Sequence, residues 1–428
     1  MVGLFVLIGT ASAQSPPTLA SFEGVKVTAI NLAGLRVTRE FVVTRELLTR
    51  VGEPLKVAVL NDDILRLDNL SIFAEIRVEA VAEAEGVRLT LGFKEMPAWI
   101  PLVGASYNEQ DGLSGGPKIS ALNLTGRAIS LSGKAYFGGA DKYEVNLNWP
   151  WIGGDHVSLN FRGARLSRAD ELNGFNETSY EFTPQVGRYV GRHGRLKGKF
   201  SLFRMESDVD GKTLSPDNQD SLPRLGASFG WDTRDSWRFP SSGWLNEIEL
   251  WRTGFGGGEA NFWTLNVDVR RWIPTVKSQR LMISGLASLQ SGKVDVDIPV
   301  YMTYHMGGAN SIRGYDVLDL GKKIFGKNQI IGTAEYSFTL LPLRRWDVWK
   351  FAFRLGLDFA LFADVGTAWS ESSELTKSRT RGGGGAGLRL LVPGAEMVRL
   401  DLGWSEQGGF QFHIAGSTKP AAQRNRLR

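Results

Sequence analysis

From residue 99 to residue 416 apolar and polar residues alternate in segment after segment, and a period of two admits few folds. Tyr143, Val145, Leu147 and Trp149 alternate with Glu144, Asn146 and Asn148, and Val157, Leu159 and Phe161 with Ser158, Asn160 and Arg162. Trp263, Leu265, Val267 and Val269 alternate with Thr264, Asn266, Asp268 and Arg270, and Val398, Leu400, Leu402 and Trp404 with Arg399, Asp401 and Ser405. Full charges on the polar side mean one apolar wall and one wet wall. A soluble sandwich turns its apolar face inward and needs no aromatic residues at its strand ends. Here Trp149, Trp151, Trp251, Trp263, Trp272, Trp369 and Trp404 lie near such ends, as the interface girdles of a membrane barrel require. Residues 98–416 are therefore expected to form an all-β transmembrane barrel of about 16 antiparallel strands, with roughly twenty residues per strand and connection.

Loop lengths set the orientation. If the first strand leaves the periplasm, the turns at Gly126-Arg127 and Gly153-Gly154 are short and inner. Most long links, Ser167–Glu177, Ser207–Leu222, Gly292–Lys327 and Ser370–Arg381, then fall outside. Arg234–Gly243 and Pro342–Lys350 are longer than an inner turn needs. Composition agrees: mean hydropathy is −0.14, and no run approaches the ~18 apolar residues of a spanning helix. A net charge of +5, with no dense basic run beside stacking aromatics, gives no reason to expect nucleic acid as a partner. Cys is absent, so disulfide and thiolate chemistry are excluded.

The N-terminal segment has a different rhythm. Val2 to Gly9 is apolar and Ala11-Ser12-Ala13 is a small-x-small site, which reads as a signal peptide over residues 1–13. Val25–Ile30 alternates as a strand. Thr38 is placed to cap a helix carrying Phe41, Val42, Leu47 and Leu48 and closed by Gly52. Val59, Leu60, Ile64, Leu67 and Leu70 fall on one face of a second helix, and alternating strands follow at Phe73–Ala82 and Val87–Phe93. Residues 24–95 thus form one small α+β domain of order β-α-α-β-β, and residues 417–428 are a basic tail.

Few residues suggest catalysis. Gly112-Leu113-Ser114-Gly115-Gly116 matches the G-x-S-x-G of serine hydrolases, but that chemistry needs a strand–elbow–helix and none follows. His156, His193, His305 and His413 are far apart and lack metal-ligand spacing. Gly382–Gly385 has no Lys-Ser/Thr or helix after it and fits a strand start lying against a neighbouring element. The expectation is a non-enzyme with no catalytic residue, metal or cofactor.

The informative segment is the long loop after the eleventh barrel strand, which carries Gly307-Gly308-Ala309-Asn310-Ser311-Ile312-Arg313-Gly314-Tyr315. It resembles the [VI]-R-G-[FY] motif of the BamA/TamA-like bacterial surface antigen family, which includes two-partner secretion transporters. Two further family motifs appear as Phe362-Ala363-Asp364-Val365-Gly366 in the thirteenth strand and as Asp232, Arg234, Asp235, Pro240 and Gly243. The N-terminal domain is similar to the family's periplasmic POTRA repeat, and one is present. The resemblance implies that Arg313 pairs with Asp364 in the lumen. Strand phase agrees, because Phe362, Asp364 and Gly366 share the inward face, and Glu335 also points inward.

The family implies insertion or translocation of unfolded or β-rich outer-membrane or secreted polypeptides at the bacterial outer membrane. Outer-membrane lipid and a periplasmic or inner-membrane protein are the other expected partners. The alternative is a passive pore or structural barrel without insertase activity. A client would enter at the seam between the first and last strands, marked by Pro101, Leu102, Phe410 and Phe412. Pro101 lacks an amide hydrogen, and the last strand is short and begins at Gly408-Gly409, so their pairing should be weak.

Overall fold

The computed structural model describes residues 19–153, 156–236, 240–255, 259–276, 278–348, 351–391 and 397–416. The expected signal peptide, the basic tail and Gly154 lie outside the described residues. The chain divides into two units, Met1–Met96 and Pro97–Arg428.

The first unit contains β1 (Val27–Ala33), α1 (Glu40–Thr44), α2 (Val57–Asn69), β2 (Phe73–Glu83) and β3 (Gly86–Glu95). β3 is central, parallel to β1 and antiparallel to β2. Val27, Leu55, Leu60, Val87 and Leu89 form its core, with Ile64 of α2 packed against them. α1 is much shorter than the apolar spacing suggests, and Thr38 is not its cap. The Glu95 carboxylate accepts from the amides of Val37 and Thr38, the latter at 2.7 Å. Asp63, wholly buried on α2, accepts from the amides of Leu48 and Thr49 at 2.9 Å and draws the chain out of the helix.

Burial pushes the Glu95 carboxyl up, but hydrogen bonds from the Thr38 side chain and from the Thr38, Val37 and Arg36 amides outweigh it and hold the group below its ordinary 4.5. A depressed folded-state value adds stability above the unfolded-state value, and that stability is lost as pH falls through the folded one. Amide exchange across residues 36–44 should therefore accelerate relative to the unfolded chain as pH drops below about 4.5. Glu95→Gln should show the faster exchange already at pH 7 and lose most of the pH dependence. Equal protection in both proteins at pH 7 would contradict this.

The second unit is one 16-stranded antiparallel sheet. Its first eleven strands are β4 (Trp99–Asn108), β5 (Gly112–Leu124), β6 (Ile129–Gly138), β7 (Ala140–Gly153), β8 (Val157–Asp170), β9 (Phe175–Val190), β10 (Gly194–Ser207), β11 (Gln219–Asp232), β12 (Gly243–Thr253), β13 (Phe262–Pro274) and β14 (Gln279–Gln290). A long loop then holds β15 (Tyr304–His305), α3 (Val317–Gly321) and β16 (Phe325–Gly326), with β15 and β16 paired to each other. The wall resumes with β17 (Asn328–Val348), β18 (Phe351–Trp369), β19 (Arg381–Leu391), β20 (Val398–Ser405) and β21 (Phe410–Gly416). Each strand pairs with its neighbour in sequence, except that β14 pairs with β17 across the loop.

The alternation sorts the two faces as expected. On β10, Leu196 and Leu202 are exposed outward, whereas Arg195, Lys197 and Lys199 are buried on the lumen side. Inward charges meet across the wall, as in Lys197 Nζ–Glu247 Oε1 at 3.5 Å and Arg162 Nη2–Glu144 Oε2 at 3.1 Å. Among the described residues no helix is long and apolar enough to cross a membrane.

Three local expectations change. The Ser167–Glu177 link is mostly strand, because β8 and β9 stay paired from Ser167–Thr178 out to Asp170–Phe175. Pro342–Lys350 is likewise largely strand; Pro342 falls in a register shift between Leu341 and Arg344, where a residue without an amide hydrogen is tolerated. Trp251 and Trp272 are not girdle residues. Trp251 shares strand parity with Glu247 and Glu249 and lies inward beneath Arg224, and Trp272 is buried against Leu245.

Candidate functional site

The loop between β14 and β17 folds back onto the wall, and its own apolar residues hold it there. Met306, Ile312, Tyr315, Leu320 and Ile324 pack with Leu286, Ile331 and Ala368 of the strands. Burying Ile312 alone contributes roughly 1.5–3 kcal/mol. Asp316 accepts from the Leu318 and Asp319 amides and starts α3, which fixes the direction in which the motif leaves.

This anchoring delivers Arg313, 2% exposed, into the lumen wall. Its Nε and Nη2 donate to the two oxygens of Asp364 at 2.7 and 2.9 Å, and its own amide donates to Asp364 Oδ2 at 3.1 Å. Nη1 reaches Glu335 Oε2 at 3.2 Å and Asp401 Oδ2 at 3.3 Å. The guanidinium lies 3.5 Å from the centre of the Phe362 ring, which serves as its platform. Arg389, wholly buried, bridges the same acids: Nη2 to Glu335 Oε2 at 2.6 Å and Nη1 to Asp401 Oδ1 at 2.5 Å. Arg399 stands 3.8 Å from Asp401 and donates to the loop at Ala309 O, 2.8 Å away. Three guanidinium groups and three carboxylates thus balance in one desolvated cluster.

The loop can lie this close because the wall beneath it is glycine. Asp364 pairs with Gly383, Phe362 with Gly385, and Gly385 with Gly403. A Cβ on Gly383 would lie 2.0 Å from Arg313 O, and one on Gly403 2.4 Å from Gly314 N. Gly314 itself has φ +97° and would collide with the Trp404 backbone. Gly383 of the glycine run and Gly403 on the next strand are therefore the seat for the loop. Gly366 does a related job one layer out, where a Cβ would lie 2.8 Å from Ile330 O.

The other sequence candidates fall elsewhere. Asp232 clamps Arg234 through Nε at 2.8 Å and Nη2 at 2.7 Å, while Asp235 accepts from the Ser241 and Ser242 amides. Gly243, at φ +106°, closes that turn, and Pro240 is buried in it. This motif shapes the β11–β12 turn, at the end of the barrel opposite the loop. Ser114 is buried within β5, where its Oγ accepts from the Ala140 amide at 3.0 Å, so it occupies a sheet and not an elbow. Pro101 and Leu102 lie in β4 and Phe410 and Phe412 in β21. These strands are the two ends of the sheet: their Cα atoms come within 8 Å, yet no ladder joins them among the described residues.

Sequence reasoning did not single out Arg389, Asp401, Arg399, His413 or Glu109 as site residues. His413 Nε2 accepts from the Gly314 amide at 3.0 Å, and its Nδ1 is hydrogen-bonded to Glu109. The available signal was full charge on the inward phase of strands next to Phe362-x-Asp364-x-Gly366.

The loop cluster, its glycine seat and β21 fall inside residues that match a known domain. The Omp85 superfamily domain matches residues 123–418. The chain is 26% identical over 365 residues to the outer membrane protein assembly factor BamA of Nitratidesulfovibrio vulgaris, covering 82% of this chain and 45% of that protein. It spans about half the length of the curated relatives it matches. Among solved structures it resembles BamA from Haemophilus ducreyi lacking POTRA domains 1–3, with a TM-score of 0.59 and 16% identity over 92% of this chain and 83% of that one. It also resembles CdiB from Escherichia coli, with a TM-score of 0.59 and 14% identity over 92% and 75%. These two likenesses speak for the fold. Because the matched domain takes in well over half of the sequence, including the arginine loop and the strands it grips, the chain belongs to the Omp85 superfamily, and its barrel resides in the bacterial outer membrane.

Proposed function

We propose that this protein inserts or translocates β-rich polypeptides at the outer membrane, using the seam between β4 and β21 as the client's template and exit. The observation that carries this reading is the absence of a ladder between those two strands among the described residues, in a sheet whose other neighbours are all paired. Unpaired amides facing lipid cost several kcal/mol each, so a barrel that serves only as a wall gains by closing fully. Two exposed strand edges instead offer main-chain donors and acceptors to any extended chain, with little sequence selectivity. The relatives named as assembly factors support this role. The N-terminal unit is proposed to be a POTRA domain standing in the periplasm, where a sheet edge would receive the client first. Client folding would supply the driving force, and no bond-making step or cofactor is part of the proposal.

The test locks the seam. The chain has no Cys of its own, so cysteines at positions 103 and 412, both on the outer face, can be bridged cleanly by a short reducible thiol reagent. Insertion of an outer-membrane barrel client into liposomes should fall at least tenfold on bridging and recover on reduction. Undiminished insertion with the bridge in place would leave a passive barrel as the better reading.

A further inference from the structure

Glu109 and His413 are 304 residues apart in sequence and stand at the two free ends of the sheet. His413 is on β21, and Glu109 follows directly on β4. Their side chains are hydrogen-bonded through His413 Nδ1, and only 2% of the His413 side chain and 12% of the Glu109 side chain remain exposed. A backbone amide can only donate, so Nε2, which faces the Gly314 amide, accepts, and the ring proton sits on Nδ1 facing Glu109. Nε2 takes the Gly314 amide at 3.0 Å, while the second Glu109 oxygen takes the Ala309 amide at 3.3 Å. Each partner therefore holds the other with one atom and the arginine loop's backbone with another.

Space around the pair leaves little room for a looser arrangement. A Cβ on Gly308 would lie 2.3 Å from Glu109 Oε2, and one on Gly314 would strike Trp404. The loop is fixed in turn by Arg313 on the wall and by Arg399, which donates to Ala309 O and to Asn310 Oδ1 at 3.0 Å. A continuous chain of bonds thus runs from β18 through the loop to β21 and to the residue after β4. It crosses the gap that the main chain leaves unbridged.

We propose that the Glu109–His413 pair, seated on the backbone of the arginine loop, is the clasp that holds the two edge strands together, so that the seam parts when the loop lifts. Its biological meaning rests on the seam's proposed role, but its geometry and its test do not. A side-chain clasp suits a seam that must open, because two residues can release at once where a ladder would have to unzip bond by bond.

The test reads the seam directly in the full-length protein in lipid nanodiscs. Spin labels at positions 103 on β4 and 412 on β21 report the gap; Val103 and Phe412 are 92% and 58% exposed on the outer face, so the labels do not touch the clasp. The otherwise wild-type protein should give one narrow distance distribution. Glu109→Ala and His413→Ala should each add a component longer by about one strand spacing, about 5 Å. Glu109→Gln, which keeps a carbonyl acceptor for Nδ1–H, should stay nearly as narrow as wild type. Gly403→Ala, which lifts the loop while leaving both clasp residues in place, should add the longer component too. If His413→Ala does not fold, Glu109→Ala, altered outside any strand, decides the matter. A distribution that stays narrow in Glu109→Ala overturns the clasp, whatever the protein's insertion activity. A seam that parts as expected in a protein that inserts no client would overturn the proposed function and leave the clasp standing.

Discussion

Arg313→Ala is expected to destabilise the barrel by about 3–5 kcal/mol, the usual cost of leaving a buried charge without its partner. The cluster balances three arginines against three carboxylates, and removing Arg313 leaves Asp364, Glu335 and Asp401 facing only Arg389 and Arg399. Asp364 suffers most, because it loses both Nε and Nη2 of this one residue and keeps only the backbone amide at 313. Lys would restore the charge but not the fork, so Arg313→Lys should recover less than half of the loss. Asp364→Asn should cost a similar amount, and the double variant Arg313→Ala/Asp364→Asn should cost less than the sum of the two. The measurement is the denaturant midpoint of the folded barrel in detergent, read by its shift on semi-native gels. Additive losses, or an alanine variant as stable as wild type, would show that the arginine is a solvated loop charge.

Gly403→Ala should cost as much as losing the arginine, although it changes no charge and no hydrogen-bonding group. The added Cβ would lie 2.4 Å from Gly314 N, 2.8 Å from Gly314 Cα and 2.9 Å from Arg313 C. All three are backbone atoms, so no rotamer can yield and the loop tip must move. Overpacking by one methyl typically costs about 1–3 kcal/mol. Here the displacement also withdraws the guanidinium from its acids, which brings the total to about 3–5 kcal/mol. Gly382→Ala provides the control on the neighbouring strand: its nearest neighbour would be Asp364 O at 3.7 Å, an ordinary contact, and its effect should be within about 0.5 kcal/mol. If both substitutions are equally mild, the glycine seat has been misread. Combined with Arg313→Ala, the Gly403→Ala change should add little, since the loop is already released.

What the sequence revealed and what it hid follow from the range over which each feature is determined. Strand alternation and short turns are local, which is why the barrel, its strand count and the inward phase of Asp364 and Glu335 could be read from residue order. Arg313 and Asp364 were visible because each sits in its own short motif. Arg389, Asp401 and His413 belong to the same site only through register: Asp401 pairs with Gly387 on one side and His413 on the other, and no single segment contains that relation. Glu109 was harder still, since it meets His413 only where the two ends of the sheet come round to each other. The short α1 has the same origin. Its apolar spacing suggested a longer helix, but Glu95 and Asp63, remote in sequence, take the amides that a longer helix would have used.

The order in which the loop's partners occur along the chain has a consequence for how the barrel itself is built. Arg313 precedes every acid it binds: Glu335 arrives with β17, Asp364 with β18 and Asp401 with β20, and the imidazole that takes the Gly314 amide comes last, on β21. A wall completed only as far as β18 would hold this cation with two of its three counter-charges and without the glycine floor that β19 and β20 provide. Such a half-made cylinder has no stable resting place for its longest loop, so partial products gain little by persisting. The final hairpin, β20 with β21, therefore acts as a keystone: its arrival adds Asp401 and Arg399 as a balanced pair, seats the loop and brings the two ends of the sheet together in one cooperative step.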